Sequence, residues 1–114
     1  MSVKLEEKRR FPRIKFNSPL RFQIRGTPAF NNTVINDISS GGIGFTADNF
    51  IPPSTNLMLE INILSHVVKP IGRVAWSSPL PHCNRYRLGI EFVELDLRDR
   101  TFLNDYIDMQ EKAA

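Results

Sequence analysis

Arg9 and Arg13, with three residues between them, stand inside Lys8–Lys15, a run in which five of eight residues are basic. A guanidinium grips phosphate through two parallel hydrogen bonds. It also forks onto the O6/N7 edge of guanine, and each such pair contributes about 1–3 kcal/mol of discrimination. Pro12 keeps the run out of a helix interior. The spacing therefore predicts an extended cationic arm that can read a guanine nucleotide as well as attract it. The bland alternative is a solvated basic tail or a nonspecific patch for nucleic acid, which a basic cluster alone does not exclude.

About 25 residues on, Asp37-Ile-Ser-Ser-Gly-Gly42 supplies complementary groups. Asp37 is an acceptor for guanine N1–H and N2–H, or a hold for an arginine. Ser39 is a small donor suited to a phosphate or a base edge. Gly42 has no Cβ and permits close approach of ligand or backbone. Taken alone, Asp, Ser and Gly are also ordinary turn residues.

The elements that must position these groups read mostly as strands. Pro19–Arg25 alternates Leu20, Phe22 and Ile24 with Arg21, Gln23 and Arg25. Asn32–Ile38 and Ile43–Ala47 flank the Ser39–Gly42 turn as a hairpin. Leu57–Leu64 alternates strictly, Val67–Trp76 is a strand bent near Pro70 and Gly72, and Arg85–Val93 directs Tyr86, Leu88, Ile90 and Phe92 one way. Pro-bearing loops are expected over 49–56 and 77–84. Short, evenly spaced strands point to a small antiparallel barrel or sandwich. The period then changes: Asp96 reads as an N-cap, and Phe102, Leu103, Tyr106 and Ile107 form one face of a helix near Leu97–Gln110 that could cover a barrel opening.

Composition narrows the function classes. With 114 residues, 41% apolar and 24% charged, the chain fits one globular domain. Net charge is only +3, but the first 25 residues are strongly basic and the segment from Glu94 to Glu111 is acidic. No stretch reaches the ~18 apolar residues of a membrane span. The first ten residues are too charged for a signal peptide. Cys83 stands alone, so neither an internal disulfide nor a cysteine-based zinc site is expected, and the reading is a cytoplasmic protein. His66 and His82 are far apart, and no nucleophile elbow, Walker loop or His-x-x-x-His occurs. No enzyme, metal or cofactor is expected.

Arg9-Arg-Phe-Pro-Arg13 followed by Asp37-Ile-Ser-Ser-Gly-Gly42 resembles the PilZ domain family, bacterial receptors for cyclic di-GMP, in both its Arg-x-x-x-Arg and its [Asp/Asn]-x-Ser-x-x-Gly motifs. Gly72-Arg-Val-Ala-Trp76 and Gly89-Ile-Glu-Phe92 look like later strands of that family. The resemblance implies a mainly β fold, a six-stranded antiparallel PilZ-type barrel with a C-terminal helix. It implies a flexible stretch over 1–7 and a single, stand-alone PilZ domain over 8–114, divided into an arm at 8–17, a barrel at 18–93 and a helix at 96–110. It further implies that Arg9 and Arg13 bind guanine edges and phosphates, that Asp37, Ser39 and Gly42 form the opposing wall, and that Trp76 lies near the ligand. Core packing or a barrel-end plug is the alternative for Trp76. Arg10 would add a phosphate contact, and Lys8 stands where a basic residue accompanies an intercalated pair of ligand molecules. Binding would order the arm and change the surface offered to a downstream protein partner, with no DNA involved; motility, secretion, adhesion and virulence are all compatible outputs. A nonspecific nucleic-acid-binding barrel and a PilZ-like protein adaptor are the rival readings.

Overall fold

The computed structural model describes residues 13–113. Lys8, Arg9 and Arg10, with the expected flexible stretch at 1–7, lie outside them. Among the described residues seven strands precede one helix: β1 (Ile14–Ile24), β2 (Phe30–Ser39), β3 (Gly42–Ala47), β4 (Asn56–Ile63), β5 (His66–Val68), β6 (Ile71–Pro79), β7 (Tyr86–Glu94) and α1 (Leu97–Ala113). All pairings are antiparallel. The sheet runs β1-β2-β3-β7-β6-β4, and β4 returns to pair with β1. Six strands thus close a barrel, and the three-residue β5 extends β4 outside the ring. Closure leaves no free edge in the ring, so its backbone donors and acceptors are paired around the circumference.

The alternating apolar residues meet inside. Leu57, Leu59, Ile61 and Ile63 of β4 are buried, while Met58 and Asn62 between them are exposed. Leu20, Phe22, Ile35, Ile38, Ile43, Phe45, Leu88 and Ile90 complete the barrel core. Helix α1 packs from outside through Leu103 and Ile107, both buried. Tyr106 meets the Phe16 ring edge-on at 5.7 Å, and the His66 ring lies 4.3 Å from Phe102. His66 Nε2 also stands 3.2 Å from Asp99 Oδ1, which ties the β4–β5 turn to the first helical turn. Asp96 is the N-cap: its carboxylate accepts the Arg98 N–H at 3.2 Å, and its carbonyl accepts the Arg100 N–H at 2.8 Å.

Strand β2 begins two residues earlier than expected and the helix ends three residues later; three further differences each have a local reason. Strand β1 starts at Ile14, not Pro19, because Ile14 and Lys15 pair with Ile38 and Asp37. The last four residues assigned to the arm therefore belong to the barrel. Pro19 has no N–H for the ladder; beside it, the Ser18 hydroxyl donates to the Asn62 carbonyl at 2.7 Å and holds β1 to β4. The segment 67–76 is two strands, not one bent strand. Pro70 interrupts the donors, and its carbonyl accepts from Leu59 instead. Strand β6 continues through Ser77, Ser78 and Pro79, which pair with Leu88, Arg87 and Tyr86.

Candidate functional site

Two bulges decide which side chains reach the outer face. In β2 an extra residue, Asn36, stands between the pairs Ile35–Phe45 and Asp37–Gly44. The alternation is reset there, so Ile35 and Ile38 are both buried and Asp37 turns outward. In β6 Ala75 is the extra residue between the pairs Val74–Ile90 and Trp76–Gly89. Strict alternation would direct Trp76 inward with Val74. The bulge instead leaves the indole 47% exposed, which removes the core-packing reading.

Pairing then aligns one row across five strands: Lys15, Asp37, Gly44, Gly89 and Trp76. The two central positions have no side chains. Asp37 lies over Gly44, where a Cβ would meet its Oδ1 at 2.9 Å. Trp76 lies over Gly89, where a Cβ would run into the indole nitrogen. The barrel wall thus carries a strip of two neighbouring positions without side chains, one covered by a carboxylate and the other by an aromatic ring. A concavity of about 460 Å³ adjoins this strip at Asn36 and Thr46 without including Asp37 or Trp76. The chemistry sits on the open wall beside the hollow.

Asp37 is a hub for arginine. Arg13 Nε lies 3.5 Å from its Oδ1, and Arg87 Nη2 donates to its Oδ2 at 3.0 Å. The Asp37 side chain is 23% exposed. Its Oδ1 is buried and makes no hydrogen bond among the described residues. With Lys15 beside it in the row, three cations surround one anion, and the local field favours an anionic ligand.

Ser39 and Gly42 shape the hairpin tip. Ser39 is buried, and its Oγ accepts the N–H groups of Gly41 at 3.1 Å and Gly42 at 3.2 Å. The Gly41 carbonyl accepts from Phe92 at 2.9 Å, joining the tip to β7. A Cβ on Gly42 would overlap the Ile90 carbonyl oxygen. The close approach that glycine permits at this position is that of the β7 backbone.

The sequence pattern of the PilZ domain matches residues 7–109. The chain belongs to the PilZ domain family. Among solved structures it is similar to the inhibitor of motility MotI/DgrA of Bacillus subtilis, at 18% identity and a TM-score of 0.79 over 92% of this chain and 52% of that one. The chain thus spans about half the length of that relative. It is also similar to the PilZ domain of YcgR from Escherichia coli solved with c-di-GMP, at 17% identity and a TM-score of 0.73 over 93% of both chains. A third similar structure is the K. pneumonia MrkH–c-di-GMP complex, at 17% identity and a TM-score of 0.74, covering 92% of this chain and 52% of that chain. No curated protein matches the chain. Likeness at these identities carries the PilZ barrel, with its C-terminal helix, and not the ligand.

Within this PilZ domain the fold brings Arg13, Asp37 and Trp76 to one face, with Ser39 and Gly42 supporting the adjoining tip. Motif reading missed Arg87 and left Gly44 and Gly89 without a role. A signal for Arg87 was present: it alternates outward on β7 with Gly89 and Glu91, opposite Leu88 and Ile90. Nothing in the spacing tells that its partner is Asp37, 50 residues away.

Proposed function

We propose that this PilZ domain is a bacterial receptor for cyclic di-GMP. The observation that carries the reading is the meeting of Arg13 with Asp37 beside the Trp76 ring, over the Gly44–Gly89 strip, in a chain with both family motifs. Seated against Gly89, the half-exposed Trp76 ring offers its outer face for stacking of a planar base. Arg13, anchored by the Asp37 carboxylate, presents its remaining donors to a phosphate or to a guanine edge. Both Asp37 oxygens face guanidinium groups, so its proposed role is to hold arginines in place. That was one of the two roles open to it from sequence. Arg9, Arg10 and Lys8 are proposed as further ligand contacts from the preceding segment, with Lys8 bearing on whether one or two ligands bind. Ser39 and Gly42, both buried, are proposed to support the wall at the tip from behind, by fixing the β2–β3 turn against β7. Titratable pairs and metal chemistry play no part in this reading, and the ligand leaves unchanged.

The output is a change of surface. A dianionic ligand lying across Arg13, Asp37 and Trp76 offsets the positive charge there and covers the strip, giving a downstream protein partner a different face in the bound form. The test is calorimetric titration of the whole chain with cyclic di-GMP, with GTP and cyclic di-AMP as controls. Binding near micromolar affinity, or about −8 kcal/mol, is expected for cyclic di-GMP alone. Arg9→Ala and Arg13→Ala are each expected to abolish measurable binding with little change in thermal unfolding. Wild-type affinity in both variants would sink the assignment. Equal binding of unrelated single-stranded nucleic acid would favour a nonspecific barrel instead.

A further inference from the structure

We propose that Arg87, which neither motif contains, is an additional ligand-binding residue that contacts a phosphate of the bound dinucleotide. The inference rests on the receptor reading above and deepens it. Arg87 is the second residue of β7, paired across the sheet with Thr46 on one side and Ser78 on the other, one outward position from Gly89. Its Nη2 donates to Asp37 Oδ2 at 3.0 Å, while Arg13 approaches the other oxygen of the same carboxylate at 3.5 Å. One acid therefore holds two guanidinium groups side by side, and the trio keeps a net positive charge at neutral pH.

The other arginines of this wall differ. Arg73 turns both Nε and Nη2 onto Glu91 Oε1, at 2.8 and 2.6 Å, and so spends its fork internally. Arg85 pairs at 3.1 Å with Asp48, which is 84% exposed, beyond the strip. Arg87 spends one donor on a carboxylate already shared with Arg13. Its Nε is buried without a hydrogen-bond partner among the described residues, while the side chain as a whole is 39% exposed. The guanidinium is thus fixed along its inner edge and open along its outer one. A planar cation held in that way needs little reordering to receive an anion. The Trp76 ring seated over Gly89 suits a base, and the cationic trio around Asp37 suits the anionic part of the ligand, which is what Arg87 reaches.

Titration of cyclic di-GMP into wild type, Arg87→Gln, Arg87→Lys and Arg85→Gln decides it. Loss of one charge-assisted phosphate contact is expected to weaken Arg87→Gln about tenfold or more. Arg87→Lys is expected to stay within about threefold of wild type, because phosphate accepts a point charge whereas a guanine edge requires the fork. Arg85→Gln removes the same charge away from the strip and is expected to stay within about twofold. Thermal unfolding without ligand checks that each variant is folded, and Arg87→Lys carries the test if Arg87→Gln is not. Binding by Arg87→Gln at wild-type affinity overturns the proposal while leaving the receptor reading intact. So does an equal loss in Arg85→Gln, which would be a general charge effect. Failure of Arg87→Lys to bind better than Arg87→Gln overturns the phosphate contact. Absence of binding by wild type overturns the receptor reading, and this proposal with it.

Discussion

Gly89 has the most to say at the scale of single residues, because it acts by lacking an atom. Its missing Cβ is the seat of the Trp76 indole. Gly89→Ala must push that ring off the strand, and the exposed indole can swing aside without disturbing the buried core. The expected result is a red shift of tryptophan fluorescence, with unfolding free energy lowered by about 1 kcal/mol. Since Trp76 is the sole tryptophan, the signal is unambiguous. Under the receptor reading, cyclic di-GMP affinity should fall about tenfold in the same variant, the value of one displaced stacking contact. An unshifted emission spectrum would show that the ring does not depend on Gly89. Gly44 stands in the same relation to Asp37, which locates the carboxylate and through it Arg13 and Arg87.

Elements matter through their irregularities. Regular strands would have turned Trp76 inward with Val74 and Asp37 inward with Ile35. One extra residue in each of β2 and β6 places both side chains on a common face. Helix α1 is a separate device, tied down by Leu103, Ile107, the Phe16–Tyr106 contact and the His66–Asp99 pair. Two substitutions test that attachment by urea unfolding. Asp96→Ala removes the N-cap acceptor and should cost about 1 kcal/mol. Leu103→Ala leaves a cavity under the helix and should cost about 2–5 kcal/mol. Neither residue touches the strip, so ligand affinity should change little in either. A binding defect as large as that of Arg13→Ala would place the helix in the ligand response instead.

For the molecule as a whole, the closed ring is a stiff frame and the candidate site is its outer surface. Four strands, β1, β2, β3 and β7, together with β6, contribute the row from Lys15 to Trp76. A ligand that grips several of them at once binds only the folded barrel. Stabilisation by mass action should then follow ligand concentration, reaching about 2.7 kcal/mol at a hundredfold excess over Kd. The check is a melting curve recorded at increasing cyclic di-GMP, with cyclic di-AMP as control. A melting temperature that ignores cyclic di-GMP while calorimetry reports binding would mean that the ligand engages a segment outside the barrel. Among the described residues no helix is long and apolar enough to cross a membrane.

Much of this was legible in one dimension. Alternation in 20–24, 57–63 and 86–92 marked strands and their buried faces, because a period of two leaves the same apolar record whatever strand lies alongside. The cap at Asp96 and the helical face after it were equally local. The Arg-x-x-x-Arg and Asp-x-Ser-x-x-Gly motifs marked the candidate site, since short-range spacing is all they need. Three things depended on tertiary structure. Pairing partners decided that Ile14–Asn17 is strand and not arm, because a ladder needs a neighbour to exist. Bulges decided that Trp76 faces out, because an extra residue is defined only against the opposing strand. Sheet order decided that Arg87 meets Asp37 across 50 residues and that two glycines lie edge to edge between the carboxylate and the indole. The residue types were written in the chain; their juxtaposition arose from closing the barrel.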